Sequence, residues 1–278
     1  MLVFIHINKT AGRTVRYILR SSYGSRHCEV EPWHAPSEGP PFSTSDLRRL
    51  RRLYPNLVSI AGHRLAGYVE LQEQGTQFRY LTFMRDPLEM CASRFQYQID
   101  YRGKRHLTFE QWIQKDVFRN AQTKRIAGTP SAGDAIRIIT GKDMFVGLTE
   151  RFDESVVLLK GLRADDLDIG YRPINVARSN ALANDLLSKA ETRQALVEAN
   201  QADLELYHYV TSELYPSFQQ QYGSSLDDAV ADYRRSAHPN FNKKNIAEYR
   251  LKQHAVYRPL LRLSRGKTTG KVVEKLLA

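Results

Sequence analysis

LVFIHINKTAGRT, residues 2–14, begins with β-branched and apolar residues and then turns into a polar loop with one lysine and one glycine. Residues 13–21 follow with apolar side chains at helical spacing. This order predicts a buried strand over 2–7, a loop, and a helix. The first N–H groups of a helix have no partner within it and carry a partial positive charge, so we expect an anion site in this loop.

Further apolar runs predict strands at 57–61, 80–84 and 144–148, and helices are predicted at 46–54 and 153–162, among others. Residues 181–215 have a long helical period, and residues 24–45 are interpreted as a surface excursion because they are rich in Gly, Pro, Ser and His. A capping box is expected at Thr108 and Gln111. Alternating strands and helices predict an α/β fold: a P-loop-like, doubly wound, mainly parallel sheet flanked by helices, in a single domain.

The positive charge of the chain is concentrated near its C-terminus. The 278 residues have a formal net charge of +11, and residues 234–278 hold twelve Lys or Arg against two Glu, a balance of +10. We therefore divide the chain into a domain over 1–225 and a basic, helical extension over 226–278. Such an extension suits an anionic glycan or an anionic membrane surface, and a solvated helical face fits equally well.

The apolar runs are all shorter than the ~20 residues that a membrane span needs. The opening run is also too short, and lacks the basic start, for a signal peptide. The two cysteines, Cys28 and Cys91, have no spacing typical of zinc sites or disulfide frameworks. We expect a cytoplasmic protein without a metal site, peripheral to the membrane if its extension binds one.

The loop at residues 8–14 differs from the common nucleotide-binding loop. It lacks the spacing G-x-x-x-x-G-K-[ST], and residues 266–268, GKT, have Leu261 where that pattern needs its first glycine. A P-loop-like kinase would also need carboxylates for Mg²⁺. A kinase is therefore kept only as an alternative.

Two segments resemble the cofactor-binding motifs of one enzyme family. Residues 4–14 are similar to the 5'-phosphosulfate loop of carbohydrate sulfotransferases, roughly H-I-P-K-T-G/A-G-T-S/T. Residues 82–95, TFMRDPLEMCASRF, are similar to its 3'-phosphate segment, R-D-P-x-x-R-x-x-S-x-Y/F. The chain departs from the family at Asn8, often Pro, and at Met90, where the family has a second Arg. The likeness is to bacterial-type relatives of heparan sulfate 2-O- and 6-O-sulfotransferases and covers about residues 3–220.

Three weaker likenesses accompany these motifs. Residues 120–128 and 145–155 look like the family's N-x-Q-T-R-x-L-x-G and V-G-L-T-E-x-F segments, which wall the nucleotide pocket. Residues 171–176 are similar to a late loop that closes over the cofactor, although an ordinary connection fits as well.

The resemblance implies that the chain binds 3'-phosphoadenosine-5'-phosphosulfate (PAPS) and releases the desulfonated product PAP. The cofactor-binding residues that it implies are Lys9, Thr10, Ala11, Gly12, Arg13, Thr14, Arg85 and Ser93. Arg85 at a strand end can meet a phosphate with two parallel hydrogen bonds. Lys9 is expected to act in catalysis as well, by stabilising the charge on the leaving phosphate oxygen.

The general base is expected to be His63, at the end of the second predicted strand. Carboxyl ends of parallel strands face the ligand crevice, and the similar glycan sulfotransferases have a histidine in a similar place. Its competitors are His6, expected to point into the sheet, and His34 or Glu31, whereas Glu89 is expected to pair with a cation. Residues 94–105 mix aromatic and basic side chains that could line an acceptor channel or form a solvated loop.

The sequence therefore predicts a sulfotransferase that passes the sulfuryl group of PAPS to a carbohydrate hydroxyl by in-line displacement. The alternatives are a nucleotide-dependent P-loop-like kinase and a non-enzymatic polyanion-binding protein. The expected partner is a glycan or another hydroxyl acceptor, without a specific nucleic acid. The acceptor, the hydroxyl position and the oligomeric state stay open.

Overall fold

Five parallel strands form one sheet in the part of the chain that the computed structural model describes, residues 1–33, 39–104, 106–171, 180–236, 242–266 and 269. The strands are β1 (Leu2–Ile5), β2 (His27–Glu29), β3 (Ser59–Gly62), β4 (Arg79–Met84) and β5 (Phe145–Leu148). Their order across the sheet is β2-β3-β1-β4-β5. Helices flank the sheet, so the predicted α/β fold in a single domain is confirmed at this level.

Helices separate the strands except between β3 and β4, which a loop without a helix connects, so the predicted alternation holds only in part. In the first half they are α1 (Gly12–Tyr23), α2 (Thr44–Leu53), α3 (Pro87–Arg102), α4 (Phe109–Ile113), α5 (Ala121–Ala127), α6 (Ala132–Gly141) and α7 (Phe152–Arg163). In the second half they are α8 (Ala181–Ser188), α9 (Ala190–Ala199), α10 (Gln201–Tyr209), α11 (Tyr215–Tyr222), α12 (Leu226–Arg235), α13 (Lys243–Leu251) and α14 (Arg258–Ser264). Thr108 and Gln111 form the predicted capping box at α4.

β2 corrects one expectation. Residues 24–45 were expected to be a surface excursion, but His27–Glu29 pairs with β3, and Trp33 and Phe42 are fully buried. β2 is buried although two of its three residues are polar, because these polar side chains have partners inside the protein. Glu29 lies between two arginines of α1, and the ring of His27 meets the hydroxyl of Ser59 at 3.1 Å.

β1 is the centre of the sheet and decides where a ligand can lie. It pairs with β3 on one side and β4 on the other, with Ile5 in register with Gly62 and with Thr82. The chain therefore adds β2 and β3 on one side of β1 and then β4 and β5 on the other, so the direction of winding changes at β1. In sheets of this kind, ligands bind outside the carboxyl ends of the strands where the direction of winding changes. The segments after β1, β3 and β4 all open onto that crevice.

The C-terminal segment, residues 242–266, covers the exposed edge of β2. The side-chain amide of Gln253 accepts from Glu29 N at 3.2 Å and donates to Glu29 O at 2.8 Å. The hydroxyl of Tyr257 bonds Glu31 N and O, each at 2.9 Å. These side chains satisfy backbone groups that an edge strand would otherwise present to other chains. Tyr257 and Leu261 also join the core of the sheet, while the division at residue 225 stays a prediction.

A second, smaller core lies beyond the carboxyl end of β4. It packs α3 against α4, α8 and α9, and its members include Leu88, Cys91, Phe95, Trp112, Phe118, Leu186 and Leu196. This core fixes the helix that follows β4. Among the helices described, none has the length and apolar character to cross a bilayer.

Candidate anion-binding site

The loop between β1 and α1 has an unusual backbone. Lys9 and Ala11 have φ values of 68° and 57°, in the left-handed region that side chains with a Cβ seldom adopt. Thr10 lies between them, fully buried, and its hydroxyl donates to Ile7 O at 3.1 Å. Alternating backbone of this kind can turn successive N–H groups into one concavity. α1 has no side-chain cap, and although Thr14 N donates to Ala11 O at 2.9 Å, the N–H groups of Gly12 and Arg13 have no such bond within the described residues and are available to an anion.

Gly12 begins α1 in close contact with a histidine ring. A Cβ at this position would lie 2.0 Å from the His6 ring, closer than any packing allows. The glycine is therefore required by the packing of His6. The sequence predicted that His6 points into the sheet; its ring is buried, contacts Gly12 and stacks on the ring of His63, with ring centroids 3.8 Å apart.

His63 is held in one tautomer. Its Nδ1 lies 3.1 Å from His6 O. Because a carbonyl oxygen can only accept, Nδ1 carries the proton and Nε2 keeps its lone pair. Burial and, less strongly, the charge of Arg16 lower the pKa of His63 to about 4, so the ring is neutral at physiological pH. A neutral imidazole with a lone pair on Nε2 can accept a proton from a hydroxyl.

Three of the predicted cofactor-binding residues form a group of cations at this edge of the sheet. The pKa of Lys9 is lowered by burial and then by the charges of Arg85 and Arg13, so both arginines lie near enough to Lys9 to affect its charge. In the described residues neither Lys9 nor Arg13 has a carboxylate partner. Lys9 Nζ instead lies 4.9 Å from the centre of the Tyr97 ring. Partly buried cations that have no carboxylate partner favour the binding of an anion.

Arg85 is partly neutralised. Its guanidinium lies 3.0 Å from the carboxylate of Glu89, which confirms that Glu89 pairs with a cation. Both side chains are partly exposed, so this pair is weak and a phosphate can compete with Glu89. Ser93 follows two turns into α3 and is half-buried, with no hydrogen bond from its hydroxyl to the described residues.

The backbone of Arg85 is fixed by a residue that the sequence analysis did not single out. The fully buried amide of Gln122 accepts from Arg85 N at 3.1 Å and donates to Arg85 O at 2.8 Å. The next N–H, of Asp86, donates to Glu150 at 2.8 Å. Gln122 and Glu150 belong to the two segments 120–128 and 145–155 of the sequence analysis, and here they hold the backbone of Arg85 and Asp86.

Gln122 is in turn fixed by a reciprocal pair of helix caps. The carboxylate of Asp203 accepts from the N–H groups of Gln122 and Thr123, at 3.1 and 2.7 Å, at the start of α5. The side chain of Asn120 accepts from the N–H groups of Ala202 and Asp203, at 3.0 and 3.2 Å, at the start of α10. Both caps are residue types that favour this position. Local patterns do not show that each cap serves the other helix.

Arg125 is a further cation that the sequence analysis missed. Burial lowers its pKa, and its charge contributes to the lowered pKa of His63. Its guanidinium has no hydrogen bond or ion pair within the described ranges. Arg94, expected in an acceptor channel, lies instead with its guanidinium 4.6 Å from the Phe118 ring centre and donates to Val117 O at 3.2 Å.

An aromatic pair flanks the cations. The rings of Tyr97 and Tyr101 are stacked with centroids 5.3 Å apart, and Tyr101 is exposed. The guanidinium of Arg102 lies 5.8 Å from the Tyr97 ring centre.

Four earlier expectations fall outside the described residues: His34, Arg105, residues 172–176 of the late loop, and residues 267–268 of the rejected GKT match. Within the described ranges, no group of His, Cys, Asp or Glu is arranged to hold a metal ion.

Comparison with known proteins adds no relative: no protein-family model matches the chain, and no curated protein matches it either.

Proposed function

We propose that this protein is a PAPS-dependent sulfotransferase with a P-loop-like, doubly wound fold, and that its acceptor is a carbohydrate hydroxyl. The observation that supports this most is the convergence of two cation-bearing loops at the carboxyl ends of the adjacent strands β1 and β4, beside the neutral imidazole of His63. One loop suits a 5'-phosphosulfate and the other a 3'-phosphate. Few nucleotides carry anionic groups at both ends of the ribose.

The donor set fits two separate phosphates. Residues 9–14 supply backbone N–H groups, Lys9 and Arg13, while Arg85 and Ser93 supply a guanidinium and a hydroxyl at the next strand. PAPS, when bound, supplies the transferable sulfuryl group. The protein contributes position and charge: Lys9 stabilises negative charge on the phosphate oxygen that leaves, which is the main need of an in-line transfer.

His63 takes the acceptor proton in this proposal. Its Nε2 lone pair accepts the proton of the hydroxyl, and the bond from Nδ1 to His6 O keeps the ring oriented. A base with a pKa of about 4 is weak at neutral pH. Arg125 is one of the cations that lower this pKa, so an acidic group bound beside Arg125 would offset that part of the shift and make His63 a stronger base.

The acceptor side supports a sugar that carries acidic groups. Arg125 has no protein carboxylate in the described residues and lies near enough to affect the pKa of His63. Tyr97 and Tyr101 offer ring faces on which a sugar can stack. We place the enzyme in the cytoplasm, where its two buried free thiols, Cys28 and Cys91, suit a reducing compartment.

Calorimetric titration of the protein with PAP tests this proposal. We expect tight binding, weakened about tenfold to a hundredfold by Lys9→Ala and by Arg85→Ala, since hydrogen bonds to charged groups contribute about 1.5–3 kcal/mol. Arg137→Ala is the matched control, because Arg137 is exposed and pairs only with Asp134 of its own helix. ATP, which lacks a 3'-phosphate, should bind far more weakly.

The same titration separates the alternatives. Equal binding of ATP and PAP would favour a nucleotide-dependent kinase, and competition by heparin with no binding of PAP would favour a polyanion-binding protein. Either result from a folded wild-type protein would overturn the proposal. Sulfuryl transfer from PAPS to a glycan, abolished by His63→Asn while PAP still binds, would add the role of His63.

A further inference from the structure

Residues 242–266 have two contrasting faces. The segment is helical from Lys243 to Ser264, with a π-helical turn at Lys252–Tyr257 between α13 and α14. One face is buried against β2 and α1 at the spacing of a helical stripe; it consists of Ile246, Tyr249, Gln253, Tyr257, Leu261 and Ser264. The opposite face is open to solvent. We call it the basic-apolar face.

The basic-apolar face exposes apolar side chains that a soluble surface would normally hide. Leu251 is 70% exposed, Leu263 46% and Val256 38%. The other exposed large hydrophobic residues in the described part of the chain are Tyr68, Tyr101 and Val117. Half of the exposed large hydrophobic residues thus lie within one short segment. Leu251, Ala255, Pro259 and Leu263 follow at intervals of four, so they lie along one side of the helix.

The same face is strongly positive. Lys243, Lys244, Arg250 and Arg262 are exposed and have no carboxylate partner within the described residues. The one acid in the sequence of residues 242–266 is Glu248, which is half-buried and accepts from the hydroxyl of Ser25 at 3.2 Å. The four basic side chains therefore lie beside the exposed apolar ones, and no nearby carboxylate of the described residues neutralises them.

A groove runs beside this face. It has a volume of about 790 Å³ and lies between Tyr17 of α1 and the first turns of the segment. Its lining is apolar at Ile246, Leu251 and Ala255 and basic at Lys243 and Arg250, with no acidic side chain. The groove extends the same chemistry toward α1.

We propose that the basic-apolar face binds an anionic phospholipid bilayer, with the leucines at the level of the upper acyl chains and the cations against the headgroups. A helix of this composition lies in the plane of a membrane interface. Polysaccharide is a poorer occupant, because sugars stack on aromatic rings and the two tyrosines Tyr249 and Tyr257 of the segment are buried. This inference does not depend on the sulfotransferase activity.

Flotation with large unilamellar vesicles tests the proposal. The full chain is mixed with vesicles of phosphatidylcholine alone, or of phosphatidylcholine with phosphatidylglycerol. We expect partitioning to the anionic vesicles only, decreasing as salt rises. Arg250→Gln with Arg262→Gln should weaken it about thirtyfold, since each basic residue near the surface contributes about a factor of five.

The apolar part is tested separately. Leu251→Gln with Leu263→Gln keeps the charge, and we expect partitioning about tenfold weaker, because each leucine loses part of its transfer to an apolar medium. The charge control is Arg48→Gln with Arg193→Gln, two exposed arginines outside the face, and the apolar control is Val117→Gln. Both controls should partition like the wild type. All these positions are exposed, and thermal unfolding checks that each variant is folded.

Three results would overturn the proposal. Wild-type protein that stays with the soluble fraction at low salt excludes a bilayer. Face variants that partition as well as the controls place the membrane contact elsewhere. Binding to soluble heparin that the arginine variants abolish, without any binding to vesicles, would make the face a polysaccharide site instead.

Discussion

Cations at the two edges of the sheet differ in their partners: among the described residues, two at the amino edge are paired with carboxylates, whereas two at the carboxyl edge are not. At the amino edge, Arg51 donates to both carboxylate oxygens of Glu73, at 2.7 and 2.6 Å, and Arg163 pairs with Asp143 at 2.9 Å. At the carboxyl edge, Lys9 and Arg13 have no acidic partner in the described residues. Paired cations contribute to stability, whereas unpaired ones that are partly buried reduce it. The difference indicates that the carboxyl edge is arranged for a ligand and the amino edge for the fold.

The largest expected effect comes from removing one cation from each edge and comparing the loss of activity with the loss of stability. Lys9→Met should lower sulfuryl transfer about a thousandfold, as the loss of a group that stabilises transition-state charge does. It should leave the free energy of unfolding unchanged or slightly higher, because a desolvated charge is removed. Arg51→Met should do the reverse, lowering the free energy of unfolding by about 1–2 kcal/mol. Urea denaturation and a transfer assay on both variants measure this, and equal loss of transfer would break the comparison.

A second test asks how tightly the carboxyl edge is packed. Gly12→Ala places a methyl group on the His6 ring and should lower the free energy of unfolding by about 3 kcal/mol. Gly133→Ala is the matched control, since a Cβ there meets nothing within 4 Å and should stabilise α6 by about 0.5–1 kcal/mol. Adding His6→Ala to Gly12→Ala should restore most of the loss. If it restores nothing, the ring contact is not the cause.

A third test concerns the hold on Arg85. Gln122→Leu leaves the N–H and C=O of Arg85 without these partners, and PAP should bind about tenfold more weakly, the loss of one or two hydrogen bonds. Adenosine 5'-phosphosulfate lacks the 3'-phosphate, so its affinity should not change. Gln219→Leu, which removes a bond to Glu154, is the control. An equal loss for both nucleotides would show general unfolding of the site.

The smallest effect is on the pH dependence of stability. The pKa of His63 is about 4 in the folded protein, below its ordinary value of 6.5. As the pH falls below about 6.5, the unfolded chain takes up a proton that the folded chain refuses, so stability falls, by up to about 1.4 kcal/mol per pH unit. His63→Asn should remove the contribution of this one histidine to the slope, while the buried His6 and His27, whose pKa values are also lowered, keep theirs. Arg51→Met should leave the slope unchanged. Unfolding measured at about pH 7, 6 and 5 decides, and an unchanged slope in His63→Asn would contradict it.

The sequence predicts the fold where side chains report on burial directly. Four strands were expected within one or two residues of their bounds, because each is a run of apolar residues that ends at a polar loop. β2 was missed because two of its three residues are polar, and their burial depends on Arg16, Arg20 and Ser59. Those partners lie outside any local window. A short edge strand of this kind cannot be seen in periodicity.

The candidate site divides in the same way. Residues 9–14, His63 and Arg85 follow strand ends, and parallel pairing brings their segments to one edge, as expected. Gln122 and Asp203 could not be assigned from local patterns, because their hydrogen bonds join residues 37 and 81 positions apart. Arg125 has no local signal either, since it is one arginine of an ordinary amphipathic helix. Arg125 is recognised only in the structure, where its guanidinium has no hydrogen bond or ion pair within the described residues.

The side chain of Gln253 has a consequence for chemical labelling. It covers β2 and lies 3.4 Å from the sulfur of Cys28, a fully buried thiol whose pKa burial raises well above normal. Cys91 is buried in the other core, so it does not depend on residues 242–266. The rate at which a thiol reagent modifies Cys28, relative to Cys91, therefore measures how often the C-terminal segment lifts from the sheet. The ratio of the two modification rates is thus an internal measure of this opening.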